Sequence, residues 1–317
     1  MDRRTFIGGI AFGALWATLA VYAQQTARIW RIGYLREGVE PISQLLVDAM
    51  RGFGWVESQN VRFEPRYAQN QDQLPQLAAD LVRRNVDLII TAGTGAALAA
   101  KQATTTIPIV FSVGGDPVGR GLVASMAHPG GNLTGFALGI YDEKQLQVLK
   151  AALPGISRVA YPVFAGANPS NLVNLNAAKN LGVQIQHVAV QTPDNFAPFF
   201  TSARQASADA ALIPDVARLV PHLKHIGMEA SKSRLPAIGY RRIFAESGGL
   251  LSYGPMWSEM NARMGIQIDK ILRGANPADL PVEQPTRFEL VINLREAKAL
   301  GLSIPRLVRL GADELIQ

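Results

Sequence analysis

Between Arg31 and Tyr240 the chain repeats one pattern: a short apolar run, a turn, then a stretch whose apolar positions recur every three and four residues. Residues 31–35 read as a first buried strand, and 42–53 as a helix with Leu45, Leu46, Ala49 and Met50 on one face. The 61–67 segment alternates, with Val61, Phe63 and Pro65 on one side. Helical spacing returns over 74–84. The run 87–92 is apolar throughout, as a strand covered on both faces should be. An alanine-rich helix over 95–104, a strand over 107–113 and a helix over 117–126 are expected next.

The stretch Ala127-His128-Pro129-Gly130-Gly131-Asn132-Leu133-Thr134-Gly135 is the strongest turn cluster in the chain. Beyond it the rhythm restarts. Helices are expected over 144–153, 170–181, 196–207 and 216–232, and strands over 159–164, 183–190, 210–213 and 237–240. Strand–helix alternation specifies parallel sheets with helices on both faces. Two such series imply an α/β chain of two similar lobes, although no tandem repeat is evident. The tail departs from the rhythm. It holds a long amphipathic helix over 256–273, a crossing with Pro277, Pro281 and Pro285, a strand over 288–292 and a last helix over 294–300. The expected organisation is an N-terminal lobe of 28–137 plus about 254–285 and a C-terminal lobe of 138–253 plus about 286–317, joined by several crossings.

The first 23 residues change the picture of where the chain works. Arg3 and Arg4 precede an apolar stretch over 7–21, and Val21-Tyr22-Ala23 fits a cleavage site before Gln24. A signal peptide over 1–23 and a periplasmic mature protein are expected. The run Asp2-Arg3-Arg4-Thr5-Phe6-Ile7 resembles a twin-arginine signal. Charge adds little: 31 basic and 25 acidic residues are interspersed, with no basic block or basic–aromatic stripe of the kind a nucleic-acid groove needs, so no nucleic-acid partner is expected. The absence of cysteine removes disulfides, thiolate metal sites and thiol nucleophiles.

In open parallel sheets ligands sit beyond the carboxyl ends of the strands. After 87–92 come Gly93, Thr94, Gly95 and Ala96, which open a helix. Backbone N–H groups there can hold a carboxylate or phosphate, or the turn simply caps the helix. After 107–113, Gly115 and Asp116 precede Pro117. Asp116 reads first as a helix N-cap, and its loop can at the same time form one wall of a cleft. In the second series Asn168, Asp215 and Tyr240 follow strands. Asp215 can meet a ligand amine or hydroxyl or cap the next helix, and Tyr253 can stack on a ligand or pack on a core. The search for catalysis is negative. Residues 250–254 lack the first glycine of a nucleophile elbow, and no HExxH pattern surrounds His222 and His225. The series Gly93-x-Gly95-x-x-Leu98 is a dinucleotide fingerprint with its third glycine lost, which keeps an exported NAD-type oxidoreductase as an alternative. A ligand-sensing module of a receptor is another. No catalytic residue, metal or cofactor is expected.

Several runs together resemble one family: Gly115-Asp116-Pro117-Val118, Gly121-Leu122-Val123-Ala124-Ser125, Pro129-Gly130-Gly131-Asn132-Leu133-Thr134-Gly135, Gly248-Gly249-Leu250-Leu251-Ser252-Tyr253-Gly254, and the tail from Lys270 to Pro285 and on to Leu302. They resemble ABC-transporter substrate-binding proteins of the group that includes tryptophan-type aromatic amino acid binders. The resemblance implies a type I periplasmic-binding-protein fold, hinge closure on a small organic ligand, and an inner-membrane ABC permease as partner. A monomer is expected. It also implies that the turn at Thr94–Ala96 and the loop at Asp116 hold a carboxylate, with Asn168, Asp215 and Tyr240 facing the rest of the ligand. The chain departs from the family at 161–166 and at Tyr240-Arg241-Arg242, where specificity would be set.

Overall fold

The computed structural model describes residues 28–139, 141–164 and 175–317. Residues 1–23, expected to be a signal peptide, the turn carrying Asn168 and the start of the helix expected from 170 lie outside the described residues. A first sheet contains β1 (Trp30–Glu37), β2 (Val61–Ala68), β3 (Leu88–Ala92), β4 (Ile109–Val113) and β5 (Leu133–Ala137) in the order β2-β1-β3-β4-β5, all parallel. A second contains β6 (Arg158–Phe164), β7 (Gln184–Val190), β8 (Ala210–Leu212), β9 (Ala237–Gly239), β10 (Leu251–Pro255), β11 (Phe288–Asn293) and β12 (Glu314–Ile316). Its order is β12-β11-β10-β9-β8-β6-β7, and only the β10–β11 pair is antiparallel.

The helices are α1 (Gln44–Gly52), α2 (Leu74–Arg83), α3 (Thr94–Ala103), α4 (Asp142–Ala152), α5 (Leu175–Asn180), α6 (Ala197–Gln205), α7 (Leu223–Ser233), α8 (Arg242–Glu246), α9 (Trp257–Leu272), α10 (Leu294–Ala299) and α11 (Arg306–Leu310). Continuous apolar strands demand cover on both faces. On the first sheet, α2 and α3 bring Leu74, Ala78, Leu81, Ala97 and Ala100 to one side, and α1 and α9 bring Leu46, Met50, Met264 and Ile268 to the other. Each of these buried leucine, isoleucine and methionine side chains contributes roughly 1.5–3 kcal/mol. The second sheet is covered by α4, α5 and α10 on one face and by α6, α7 and α8 on the other.

The tail positions the cleft. After β10 the chain returns as α9 to the first sheet, where Gly265 lies so close to α1 that a Cβ on it would stand 2.9 Å from the Cβ of Ala49. The proline-rich segment then runs along β5: Glu283 N donates to Gly135 O, and Ala137 N donates to Glu283 O. From there β11, α10, α11 and β12 join the second sheet. With the link from β5 to α4, the chain passes between the sheets after β5, after β10 and before β11.

Several elements differ from the sequence reading. No helix forms over 117–126. Gly119 and Gly121 break it, Gly121 at φ +67°, and the segment turns back on itself while Leu122 and Val123 enter the core. The helix expected over 216–232 is split. Pro221, which has no N–H to donate, sits in a 3-10 turn over Ala217–His222 before α7 starts. In β2, Pro65 is exposed, and buried Glu64 faces Arg31, whose Nε donates at 2.9 Å. The turn cluster ends in strand β5, and residues 251–255 form strand β10.

Candidate functional site

The carboxyl ends of β1, β3 and β4 face the loops that follow β8 and β9, and a cavity of about 190 Å³ lies between them. This is below the ~300–1,000 Å³ of typical pockets for drug-sized ligands, so it suits one small molecule. Its apolar side is built by Tyr34, Ile42, Leu46, Met260 and Met264 from β1, α1 and α9. Its polar side comes from Arg36, Glu40, Ser43, Asn261, Asp215 and Arg241.

Gly93, the N-cap of α3, lines the cavity, whereas Thr94, Gly95 and Ala96 lie outside its lining. Gly93 takes φ +96°, open to glycine at little cost, and no side chain caps the helix. The first intrahelical bond runs from Ala97 N to Gly93 O, so the amides of Thr94, Gly95 and Ala96 belong to the unpaired first turn, where an anion is favoured. Among the residues singled out in the sequence, Thr94 donates its hydroxyl hydrogen to Gly114 O at 3.4 Å. Gly95 packs under Leu74, which a Cβ would meet at 3.2 Å, and the Ala96 side chain points into the core of the first sheet. Gly115 N donates to Gly139 O, tying the loops after β4 and β5 together. Asp116 is exposed and outside the cavity lining, and its Oδ1 accepts from Val118 N at 2.9 Å.

Across the cleft, Asp215 lines the cavity and accepts a hydrogen bond from the Tyr141 hydroxyl. Burial pushes its carboxyl up from the usual range, against the pull of Arg241 and the tyrosine hydrogen bond. A ligand ammonium would relieve that cost. Tyr240 stands behind, 1% exposed, with its hydroxyl 3.4 Å from Val216 O. Tyr253 stacks on Phe288 at 5.5 Å in the second sheet and is not in the cavity lining. Asn168 lies outside the described residues.

The cleft is shut by contacts that the sequence reading missed. Arg36 is 3% exposed and donates to Ala217 O at 2.8 Å and to Glu40. Arg218 reaches Glu37 at 3.5 Å. Arg241 reaches Glu40 at 3.6 Å and lies 3.9 Å over the ring of Trp257, the first residue of α9. A Cβ on Gly93 would stand 3.3 Å from the Cβ of Ala217. Thr91 Oγ1, Arg241 Nε and Trp257 Nε1 are buried without a hydrogen-bond partner, all in residues of the cavity wall. Arg36 and Glu40 directly follow the first apolar run, so reading past that strand end, as was done for the others, finds them. Trp257 gives no such signal, because only the tail's return to the first sheet brings it to the cleft.

Among the described residues no cluster of histidine or acidic side chains could hold a metal ion, and no helix is long and apolar enough to cross a membrane. A curated tyrosine-binding protein of Clostridioides difficile is 24% identical over 274 residues, covering 85% of this chain and 77% of that one. A crystal structure of a conserved domain protein from Vibrio cholerae has a TM-score of 0.81 at 25% identity, covering 91% of this chain and all of that one. An ABC domain from Streptococcus pneumoniae, solved with L-Trp, has a TM-score of 0.78 at 24% identity with the same coverage. These neighbours share the type I periplasmic-binding-protein fold, two parallel-dominated sheets flanked by helices. The model of the ABC transporter substrate binding proteins matches residues 37–316, from the end of β1 to the end of β12, and the chain belongs to that family.

Proposed function

We propose that this protein is the periplasmic capture component of an ABC importer, acting as a monomer, and that its ligand is a small α-amino acid with an apolar, preferably aromatic, side chain. The observation that carries this reading is the polarity of the cleft cavity. The open first turn of α3, which begins at the cavity-lining Gly93, favours a carboxylate at one end. Asp215, half-buried in the opposite wall with its carboxyl pushed up by burial despite Arg241, would meet an ammonium at the other. Tyr34, Ile42, Leu46 and Met264 supply the wall for an apolar side chain. The tyrosine named for the relative and the L-Trp named for the neighbour support the same ligand class. The family is one of binding proteins, not enzymes, so the work done is conformational: the ligand favours the closed form by its higher affinity for it. An inner-membrane permease then receives the closed form.

A thermal-shift screen of the purified protein against amino acids, aromatic carboxylates, sugars and nicotinamide cofactors tests the reading. A ligand bound only by the folded state raises the midpoint by mass action. A rise with tyrosine or tryptophan is expected. A rise with sugars or nicotinamide cofactors alone overturns it.

A further inference from the structure

Two cavities meet at Arg241 and Trp257. The second, of about 420 Å³, is bounded by the β10–α9 crossing, Tyr240 and the start of α8. Leu45, Arg241 and Trp257 line both. The guanidinium of Arg241 on the indole of Trp257 is therefore a partition, and Arg241 Nε and Trp257 Nε1 are buried in it without an acceptor. A buried donor without an acceptor is costly, so this part of the wall gains by moving to meet a ligand.

The far cavity has a distinct charge. Arg242 donates to Glu246 at 2.8 Å and pairs with Glu289 at 3.5 Å and with Glu314, so one guanidinium faces three carboxylates. Glu289 and Glu246 line the cavity. Burial raises the pKa of Glu289 against the pull of Arg242, and Asp313 and Glu314 add to the effect. Around Arg242 the carboxylates outnumber the cation, while Arg241, the second cation of the lining, is paired with Glu40 on the cleft side. On the near side, Asp215 and Arg241 line the first cavity together, so an ammonium held by Asp215 lies on the side of the partition.

We propose that the second cavity is a subsite for an amine-bearing extension on the amino end of the ligand, so that the opened partition admits a dipeptide with a basic first residue and an aromatic second one. This rests on the amino acid reading of the cleft. The aromatic residue and carboxylate occupy the first cavity, and the basic side chain reaches Glu246 and Glu289.

Calorimetry with L-tyrosine, L-lysyl-L-tyrosine and L-glutamyl-L-tyrosine tests it, on the wild type, Ser258→Trp and Glu289→Gln. Ser258 is exposed at the start of α9 and lines only the second cavity, so a bulky residue fills that space without entering the cleft. The wild type should bind the lysyl dipeptide about tenfold or more tighter than the glutamyl one, a difference of about 1.4 kcal/mol. Ser258→Trp should weaken the lysyl dipeptide by a similar factor and leave L-tyrosine within about twofold, and Glu289→Gln should narrow the preference for lysyl over glutamyl. If L-tyrosine binds and the lysyl dipeptide does not, or if Ser258→Trp lowers both alike or neither, the subsite is refuted while the amino acid reading stands. If none of the three binds, both fall.

Discussion

Arg36 holds the carbonyl of Ala217 across the cleft, its Nη2 donating at 2.8 Å from the end of β1 to the turn that follows β8. The same guanidinium donates to Glu40, which Arg241 approaches from the other side. Closure of the lobes is thereby tied to a buried charge. Replacing Arg36 with Met removes the bridge and leaves Glu40 with one cation fewer. Charge-assisted hydrogen bonds of this kind contribute about 1.5–3 kcal/mol, so ligand affinity should fall about 10- to 100-fold. Calorimetry reads the affinity, and small-angle scattering should show a larger radius of gyration for the variant in the presence of ligand.

Asp215 should discriminate by ligand charge. Asp215→Asn keeps an acceptor for the Tyr141 hydroxyl and removes the negative charge from the cavity wall. Truncating one partner of a buried charge pair costs about 2 kcal/mol or more, so L-tyrosine should bind about 30-fold more weakly. The des-amino analogue, 3-(4-hydroxyphenyl)propionate, should bind the variant as well as or better than it binds the wild type. Equal losses for both ligands would remove Asp215 from the ammonium end.

Asp142, in the first turn of α4, makes folding stability depend on pH. Its carboxyl is 8% exposed and accepts from the Tyr161 hydroxyl at 2.8 Å. Burial, only partly offset by that hydrogen bond, raises its pKa from 3.8 to about 6. The folded protein therefore holds this proton more tightly than the unfolded chain. Below the ordinary carboxylate pKa the group is neutral in both states and contributes nothing. As pH rises from about 4 to about 6 it lowers stability, by roughly 3 kcal/mol in all, and the loss is complete above that window. Asp142→Asn should match the wild type near pH 4 and exceed it at pH 7 in denaturant titrations. A difference between the two that does not vary with pH would contradict the assignment.

Gly135 should tolerate no side chain. It lies in β5 at φ +146°, and a Cβ there would fall 2.1 Å from the carbonyl oxygen of Phe111 in the neighbouring strand. Backbone cannot yield as a flexible side chain can, so Gly135→Ala should lower the thermal midpoint by about five degrees or more, or leave no folded protein, on the basis of a cost of about 3 kcal/mol or more. A wild-type melting curve for the variant would be the contrary result.

The alternation of apolar strands and amphipathic helices gave the architecture because each lobe is assembled from neighbours in sequence. Runs such as 88–90 and 109–111, buried on both faces, can be read without any partner in view. Where local rules competed the reading failed. Asp116-Pro117 carries a helix-start signal, and Asp116 does bind Val118 N, yet two glycines stop the helix from propagating. The site was legible in part for the same reason. Gly93 and Asp215 follow strands and could be found by looking at strand ends. Trp257, Met260 and Met264 reach the cavity only because the tail recrosses to cover the first sheet, a long-range return that periodicity does not encode. Tyr240 and Tyr253 follow or lie in strands too, but their rings are taken up by the packing of the second sheet.

The central claim is capture of an α-amino acid in the cleft, and isothermal titration of the purified protein with L-tyrosine and L-tryptophan tests it most directly. The account predicts saturable binding of one ligand per chain with a negative heat-capacity change, since apolar surface is buried as the lobes close, and loss of most of that affinity in Asp215→Asn. Absence of binding for both, with saturable binding of a sugar or of a nicotinamide cofactor at the same cavity, would contradict it.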